Sequence, residues 1–213
     1  MTQPILIMGA TSGIGALAVK EALSRGLSVR AFARGAEDLD PRDGLEPFAG
    51  DALNTEDVAR ALVGVSAVVY CLGIKERLAM LWEEERLFSD STRVLINAMA
   101  EAGKKRLIVV TGFGAGRSRM AMSTLESIGH KAILGRPYAD KDRQEDLIFS
   151  SDLDWTIVRP VILTNNVKSG KISVLRDPST WKNGLISRAD VASYLIDAAE
   201  QGLDIGADVV LRR

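Results

Sequence analysis

The chain has one cysteine and one histidine among 213 residues, and a formal net charge of −1. It also has no apolar run near the ~20 residues that cross a bilayer. A single cysteine excludes an internal disulfide, and Cys71 lies within the apolar run Ala67–Leu72, which reads as a buried, inert thiol. With only His130 beside it, no nitrogen- and sulfur-rich zinc site can be assembled, and no metal is expected. The near-zero net charge supplies no field toward nucleic acid or an anionic membrane, so neither is expected as a partner. The local run Lys104-Lys105-Arg106 lies where a helix should end, and cations are favoured there as a solvated cap. The first residues do not form a basic segment followed by a long apolar one, because Pro4–Met8 runs directly into glycines. A cytoplasmic location is the resulting expectation.

What is present is alternation. Short apolar runs at Pro4–Met8, Leu27–Ala33, Leu45–Ala49, Ser66–Cys71, Arg106–Thr111 and Trp155–Val158 read as strands, with further strands at 171–175 and 207–211. Between them, helical periodicity marks Ile14–Arg25, Thr55–Val63, Glu84–Ala102, 121–134, 140–151 and Arg188–Gln201. Strands that read as continuous apolar runs and alternate with helices imply a parallel sheet covered on both faces. There is no repeat, low-complexity tract or linker, so the expectation is one α/β domain over 1–213. Its architecture would be a Rossmann-type doubly wound parallel sheet with helices on both faces, and a small substrate-side region from about 113–137 and 160–186.

The strongest motif is Gly9-Ala10-Thr11-Ser12-Gly13-Ile14-Gly15, which leaves the first strand and opens the first helix. In that context Gly9 permits the tight exit, and Gly13 lets main-chain N–H groups approach a pyrophosphate at the helix N-terminus. Gly15 brings the helix close to the sheet. The second strand ends Phe32-Ala33-Arg34-Gly35, and the first acid after it, Glu37, comes too late to meet a ribose 2′-hydroxyl. Arg34 offers a bidentate partner to a 2′-phosphate, so NADP(H) is expected in preference to NAD(H).

With its spacing G-x-x-x-G-x-G, this turn resembles that of the short-chain dehydrogenase/reductase superfamily, especially its atypical members. That group includes flavin reductase (biliverdin-IXβ reductase) and NmrA-like proteins. The resemblance rests on Gly9–Gly15, Val29–Arg34, Gly50-Asp51, Leu72-Gly73, Val109–Gly112 and Ser151–Pro160. It implies cofactor contacts from Gly9, Thr11, Ser12, Gly13, Ile14 and Arg34, from Asp51 and Ala52 beside the adenine, and from Leu72, Gly73, Thr111, Lys141 and Pro160. The family's Tyr-x-x-x-Lys pair is absent. Tyr138 and Lys141 are three apart, and the tyrosine position counted back from Lys141 holds Pro137. Tyr138 could still reach the site, because both spacings share a helical face. Thr111, Lys141 and Tyr138 are therefore the candidate catalytic residues, with Thr111 a donor to substrate. Gly112–Gly116 reads as a mobile strip, Phe113 as a stacking ring, and Trp82, Met80, Met120 and Met122 as pocket walls.

Without a strong positioned acid, alcohol–ketone chemistry is disfavoured. Hydride transfer to a planar conjugated acceptor tolerates that loss, because the incoming charge is delocalised and solvent can supply the proton. The leading expectation is thus an NADPH-dependent reductase of a flavin, quinone or tetrapyrrole-like acceptor, with a homodimer open as an alternative to a monomer. A non-catalytic NADP(H)-binding regulator or assembly factor is the alternative, and a sugar-nucleotide epimerase or dehydratase the third.

Overall fold

Four consecutive apolar residues, Ile5–Met8, form the central strand β1, and all four are buried. Their side chains alternate: Ile5 and Ile7 enter one hydrophobic core, Leu6 and Met8 the other. The same alternation divides Ala67 and Val69 from Val68 and Tyr70 in β4 (Ala67–Tyr70). A strand with both faces buried cannot alternate apolar with polar, which is why these runs are continuous. The computed structural model describes residues 3–73, 86–121 and 138–213. The expectations for Trp82, Met80, Met122, His130 and Pro137, and for most of the helix at 121–134, lie outside the described residues.

The remaining elements are α1 (Gly13–Ser24), β2 (Val29–Ala33), β3 (Leu45–Ala49), α2 (Thr55–Ala61), α3 (Leu87–Glu101), β5 (Arg106–Val110), α4 (138–149), β6 (Asp154–Pro160), β7 (Ile162–Thr164), β8 (Ser173–Leu175), β9 (Leu185–Ser187), α5 (Arg188–Gln201) and β10 (Ala207–Arg212). The main sheet runs β3-β2-β1-β4-β5-β6-β10-β8, parallel except for β8, which pairs antiparallel with β10. Strand order reverses between β1 and β4, and in such sheets ligands bind outside the carboxyl ends of the strands at that crevice. Among the described residues no helix is long and apolar enough to cross a membrane.

The stretch 160–186 is less separate than its irregular sequence suggests. β7 and β9, three residues each, form a small parallel pair that periodicity could not reveal at that length. Val161, Trp181 and Ile186 are buried in the same core as β1 and α5, so this stretch extends the main domain.

Helix α4 is fastened to its surroundings residue by residue. The N-cap residue of helix α3 is Arg86, whose side chain makes no capping bond. Asp140 of α4, fully buried, supplies the cap instead, accepting from the Phe88 N–H at 2.8 Å and from the Ser89 N–H and hydroxyl. Gln144 donates to the Thr92 hydroxyl at 2.9 Å. An Asp140→Ala change leaves two buried N–H donors without a carboxylate and should cost about 1–3 kcal/mol in urea unfolding. A loss near zero would mean that Asp140 does not hold the start of α3.

Candidate functional site

The turn after β1 is shaped by close approach. A Cβ on Gly9 (φ +83°) would lie 2.7 Å from the Cys71 carbonyl oxygen, and one on Gly15 would overlap the Gly9 carbonyl. Gly13 has φ +55°, yet a Cβ there would have no atom of the described residues within 4 Å. Among the described residues, the space over the start of α1 is open. Thr11, Ser12 and Gly13 are exposed and Ile14 is half-buried. Ser12 is the N-cap residue but makes no side-chain capping bond, and no acid lies in the first turn. The leading N–H groups and the positive end of the helix dipole thus face the crevice with no carboxylate in the first turn of the helix to oppose an anion.

At the end of β2, Arg34 is exposed and has no ion pair or hydrogen bond with a described residue. Arg30, four residues earlier, is committed: it donates to the Ala61 and Val63 carbonyls and pairs with Glu46 at 2.9 Å. Asp51 is exposed after β3 and accepts from the Leu53 N–H at 3.0 Å, while Ala52 is buried beneath it. Leu72 is half-buried and Gly73 exposed at the end of β4. Pro160 is buried at the end of β6, its carbonyl accepting from the Phe113 N–H at 3.0 Å. Gly9–Ile14, Arg34, Asp51, Leu72-Gly73 and Pro160 all follow or end parallel strands, and so lie along the carboxyl edge of the sheet.

The three candidate catalytic residues converge at the end of β5. Lys141 donates through Nζ to the Thr111 carbonyl at 2.7 Å and sits 4.5 Å from the centre of the Phe88 ring. A Cβ on Gly112 would be 2.7 Å from the Tyr138 hydroxyl, so the phenol rests on the residue after Thr111. Burial lowers the Lys141 ammonium to about 8, against the opposing pull of Glu145, Asp140 and Cys71. Burial pushes the Tyr138 phenol up to about 12 and the Cys71 thiol likewise to about 12.

Behind this cluster lies a charge network that sequence reading did not find. Arg159 is fully buried and forms a bidentate pair with Glu145, Nε at 3.1 Å and Nη2 at 2.7 Å, and a second pair with Asp208. Asp208 also meets Arg117, and the Arg117 and Arg159 guanidiniums lie 5.7 and 5.2 Å from the Trp181 ring centre. Burial works against charge on both Arg159 and Asp208, but their partners prevail: Arg159 is held above its usual range and Asp208 below it. Thr111 joins the network by donating its hydroxyl to Glu145 at 2.7 Å. One clue was available, since Tyr138, Lys141 and Glu145 fall at i, i+3 and i+7 on one helical face.

The segment Gly112–Gly116 departs from the mobile strip that its glycines suggest. Gly114 donates to the Ser118 hydroxyl, Ala115 to the Gly112 carbonyl and Gly116 to Asp142. Phe113 is only 6% exposed and packs in the hydrophobic core, so its ring is not available for stacking on a substrate. Met120 is 88% exposed.

Comparison with known proteins agrees with this geometry. A family described as NAD(P)H-binding matches residues 9–202. An uncharacterized chloroplast protein of Arabidopsis thaliana is 25% identical over 94% of this chain and 73% of its own length. A Bacillus subtilis protein named as an uncharacterized sugar epimerase is 28% identical over 82% of this chain and 77% of its own. Among solved structures, the anaerobilin reductase ChuY of Escherichia coli O157:H7 superposes with a TM-score of 0.78 at 25% identity, covering 98% of this chain and 96% of that one. A Veillonella parvula short-chain dehydrogenase/reductase solved with NADP shares the fold at a TM-score of 0.83 and 15% identity, covering 100% and 95%. The chain belongs to the NAD(P)H-binding family, with the Rossmann-type architecture of the atypical short-chain dehydrogenases/reductases.

Proposed function

We propose that this protein is an NADPH-dependent reductase of a planar, conjugated acceptor of the tetrapyrrole, flavin or quinone kind. The observation that carries the reading is the placement of Tyr138, whose hydroxyl rests against Gly112 while the Lys141 ammonium is turned to the Thr111 carbonyl. The phenol nearest the end of β5 is pushed up to about 12, so it is a weaker acid than in water, not an activated one. Lys141 donates one Nζ–H to the Thr111 carbonyl. A ketone reduction needs a proton delivered to the developing alkoxide, whereas a conjugated acceptor delocalises the incoming charge and can be protonated from solvent. The similarity to ChuY over nearly the whole chain supports the tetrapyrrole class among these acceptors.

The described residues fit the cofactor. The Gly9–Ile14 turn would take the pyrophosphate and Arg34 the 2′-phosphate. Asp51 and Ala52 would border the adenine, and Leu72, Gly73, Thr111, Lys141 and Pro160 would line the nicotinamide side. NADPH supplies the hydride when bound; the chain's own part is to align donor and acceptor at near-attack distance and to exclude water. The relative named as a sugar epimerase makes epimerisation a second reading. The high Tyr138 value weighs against it where that phenol must exchange protons.

Arg34→Ala should raise the Kd for NADPH at least about tenfold while changing that for NADH less than about twofold, by calorimetry. Equal losses would remove Arg34 from the 2′-phosphate site. Gly13→Ala puts a methyl group into the open space above α1, and affinity for both cofactors should fall by roughly a hundredfold. The strain of φ +55° should itself cost only about 1–2 kcal/mol of stability. Unchanged affinity would place the pyrophosphate elsewhere. Tyr138→Phe should leave acceptor reduction within about threefold of wild type, whereas a loss of about a thousandfold would make the phenol the acid and favour carbonyl chemistry.

A further inference from the structure

The interior holds two charges, on Glu145 and Arg159, whose burial the cofactor site does not require. Glu145 is 1% exposed and Arg159 fully buried. Taking such a pair out of water costs several kcal/mol, and a matched pair of apolar side chains would serve packing as well or better. Yet this pair stands directly behind the end of β5. Glu145 Oε1 accepts from Thr111 Oγ1 at 2.7 Å while the same carboxylate holds Arg159 through both oxygens. Thr111 is also anchored through its N–H to the Val158 carbonyl at 2.9 Å, so its position between β5 and β6 is determined on two sides.

Resting on the reductase reading above, we infer that Glu145 is a positioning residue for the reduction. Paired with Arg159, it accepts the hydrogen bond of the Thr111 hydroxyl and fixes the Thr111–Gly112 segment on which Lys141 and Tyr138 are seated. Two chemical consequences follow. The carboxylate facing Thr111 can only accept, so the single hydroxyl proton is committed and Thr111 is not a proton donor to the acceptor, contrary to the role its position suggests in sequence. Thr111 serves the site through its carbonyl, which holds the ammonium of Lys141. Tyr138, Lys141 and Glu145 share one face of α4 and meet consecutive residues of one strand end. Helix and strand are therefore registered by three side chains acting together.

The charge state of Lys141 reports on this arrangement. Its surroundings are the Glu145 and Asp140 carboxylates of its own helix, the Cys71 thiol beyond β4, the Phe88 ring of α3 and the Thr111 carbonyl. Tyr138 lies one turn earlier. Asp140 is held by the first N–H groups of α3, whereas Glu145 faces β5 and β6 through Thr111 and Arg159. Replacing Glu145 with Gln removes one of the groups that favour the ammonium, so its titration midpoint must fall further.

The test is a pH titration of the cofactor-free protein labelled with 13Cε-lysine, with the Lys141 resonance assigned by its loss in Lys141→Arg. The wild-type midpoint should lie near 8. In Glu145→Gln it should drop by about one unit, roughly tenfold in proton affinity. The alkaline limb of kcat should move down with it, while the Kd for NADPH stays within about threefold. Thr111→Val keeps both buried charges and the side-chain shape; it should lower kcat about tenfold with little change in Kd, and Thr111→Ser should restore it. This variant stands in where Glu145→Gln does not fold. An unmoved Lys141 midpoint in Glu145→Gln, or wild-type turnover in Thr111→Val, overturns the inference. Tight NADPH binding with the expected midpoints but no turnover toward any acceptor would defeat the reductase reading alone.

Discussion

A fully buried guanidinium in the middle of a sheet must be neutralised from within the protein, and much of this structure is arranged around that requirement. Arg159 lies on β6 and receives Glu145 from α4 and Asp208 from β10. Asp208 in turn receives Arg117 from the turn after β5. Four separate pieces of chain are therefore held in register by one charge. Removing a single partner would strand a buried ion, typically at 3–5 kcal/mol, so the network is far more sensitive to piecemeal change than its net contribution to stability suggests.

The crevice built on this frame has two ends of different character. At β1 and β2 it is made of main chain and open space, with no side-chain cap at the start of α1 and an Arg34 that has no partner among the described residues. Such a surface suits phosphates. At β5 it is made of side chains already bonded to one another, Lys141 to the Thr111 carbonyl and Thr111 to Glu145, with Tyr138 resting on Gly112. That end offers fixed geometry and few free protons. This division underlies the proposal that the protein holds a hydride donor beside an acceptor that accommodates charge by itself.

The fold was largely legible in the sequence because two-sided burial leaves continuous apolar runs, and because Gly9–Gly15 lies between a strand and a helix. Strand β3 and helix α5 fall where periodicity places them, at 45–49 and 188–201. Three-residue strands such as β7 and β9 carry too little pattern to be seen. The Gly9–Gly15 turn and the exposed Arg34 were legible for a local reason: each proposed contact depends on residues that lie together in the chain. The Glu145–Arg159–Asp208 network was not, because its members are 14 and 49 residues apart and meet only through topology. Phe113 was misjudged on similar grounds. A glycine-flanked aromatic reads as an exposed ring until the pairing of its N–H with Pro160 turns the segment inward.

The central claim is that this chain binds NADPH to pass hydride to a conjugated acceptor. Calorimetry with NADPH and NADH, followed in the same preparation by NADPH oxidation with FMN, a quinone and biliverdin, tests it most directly. NADPH should bind at least about tenfold tighter than NADH, with turnover of at least one acceptor. Tight NADPH binding with no oxidation by any of the three would contradict it and leave a cofactor-binding protein without the proposed catalysis.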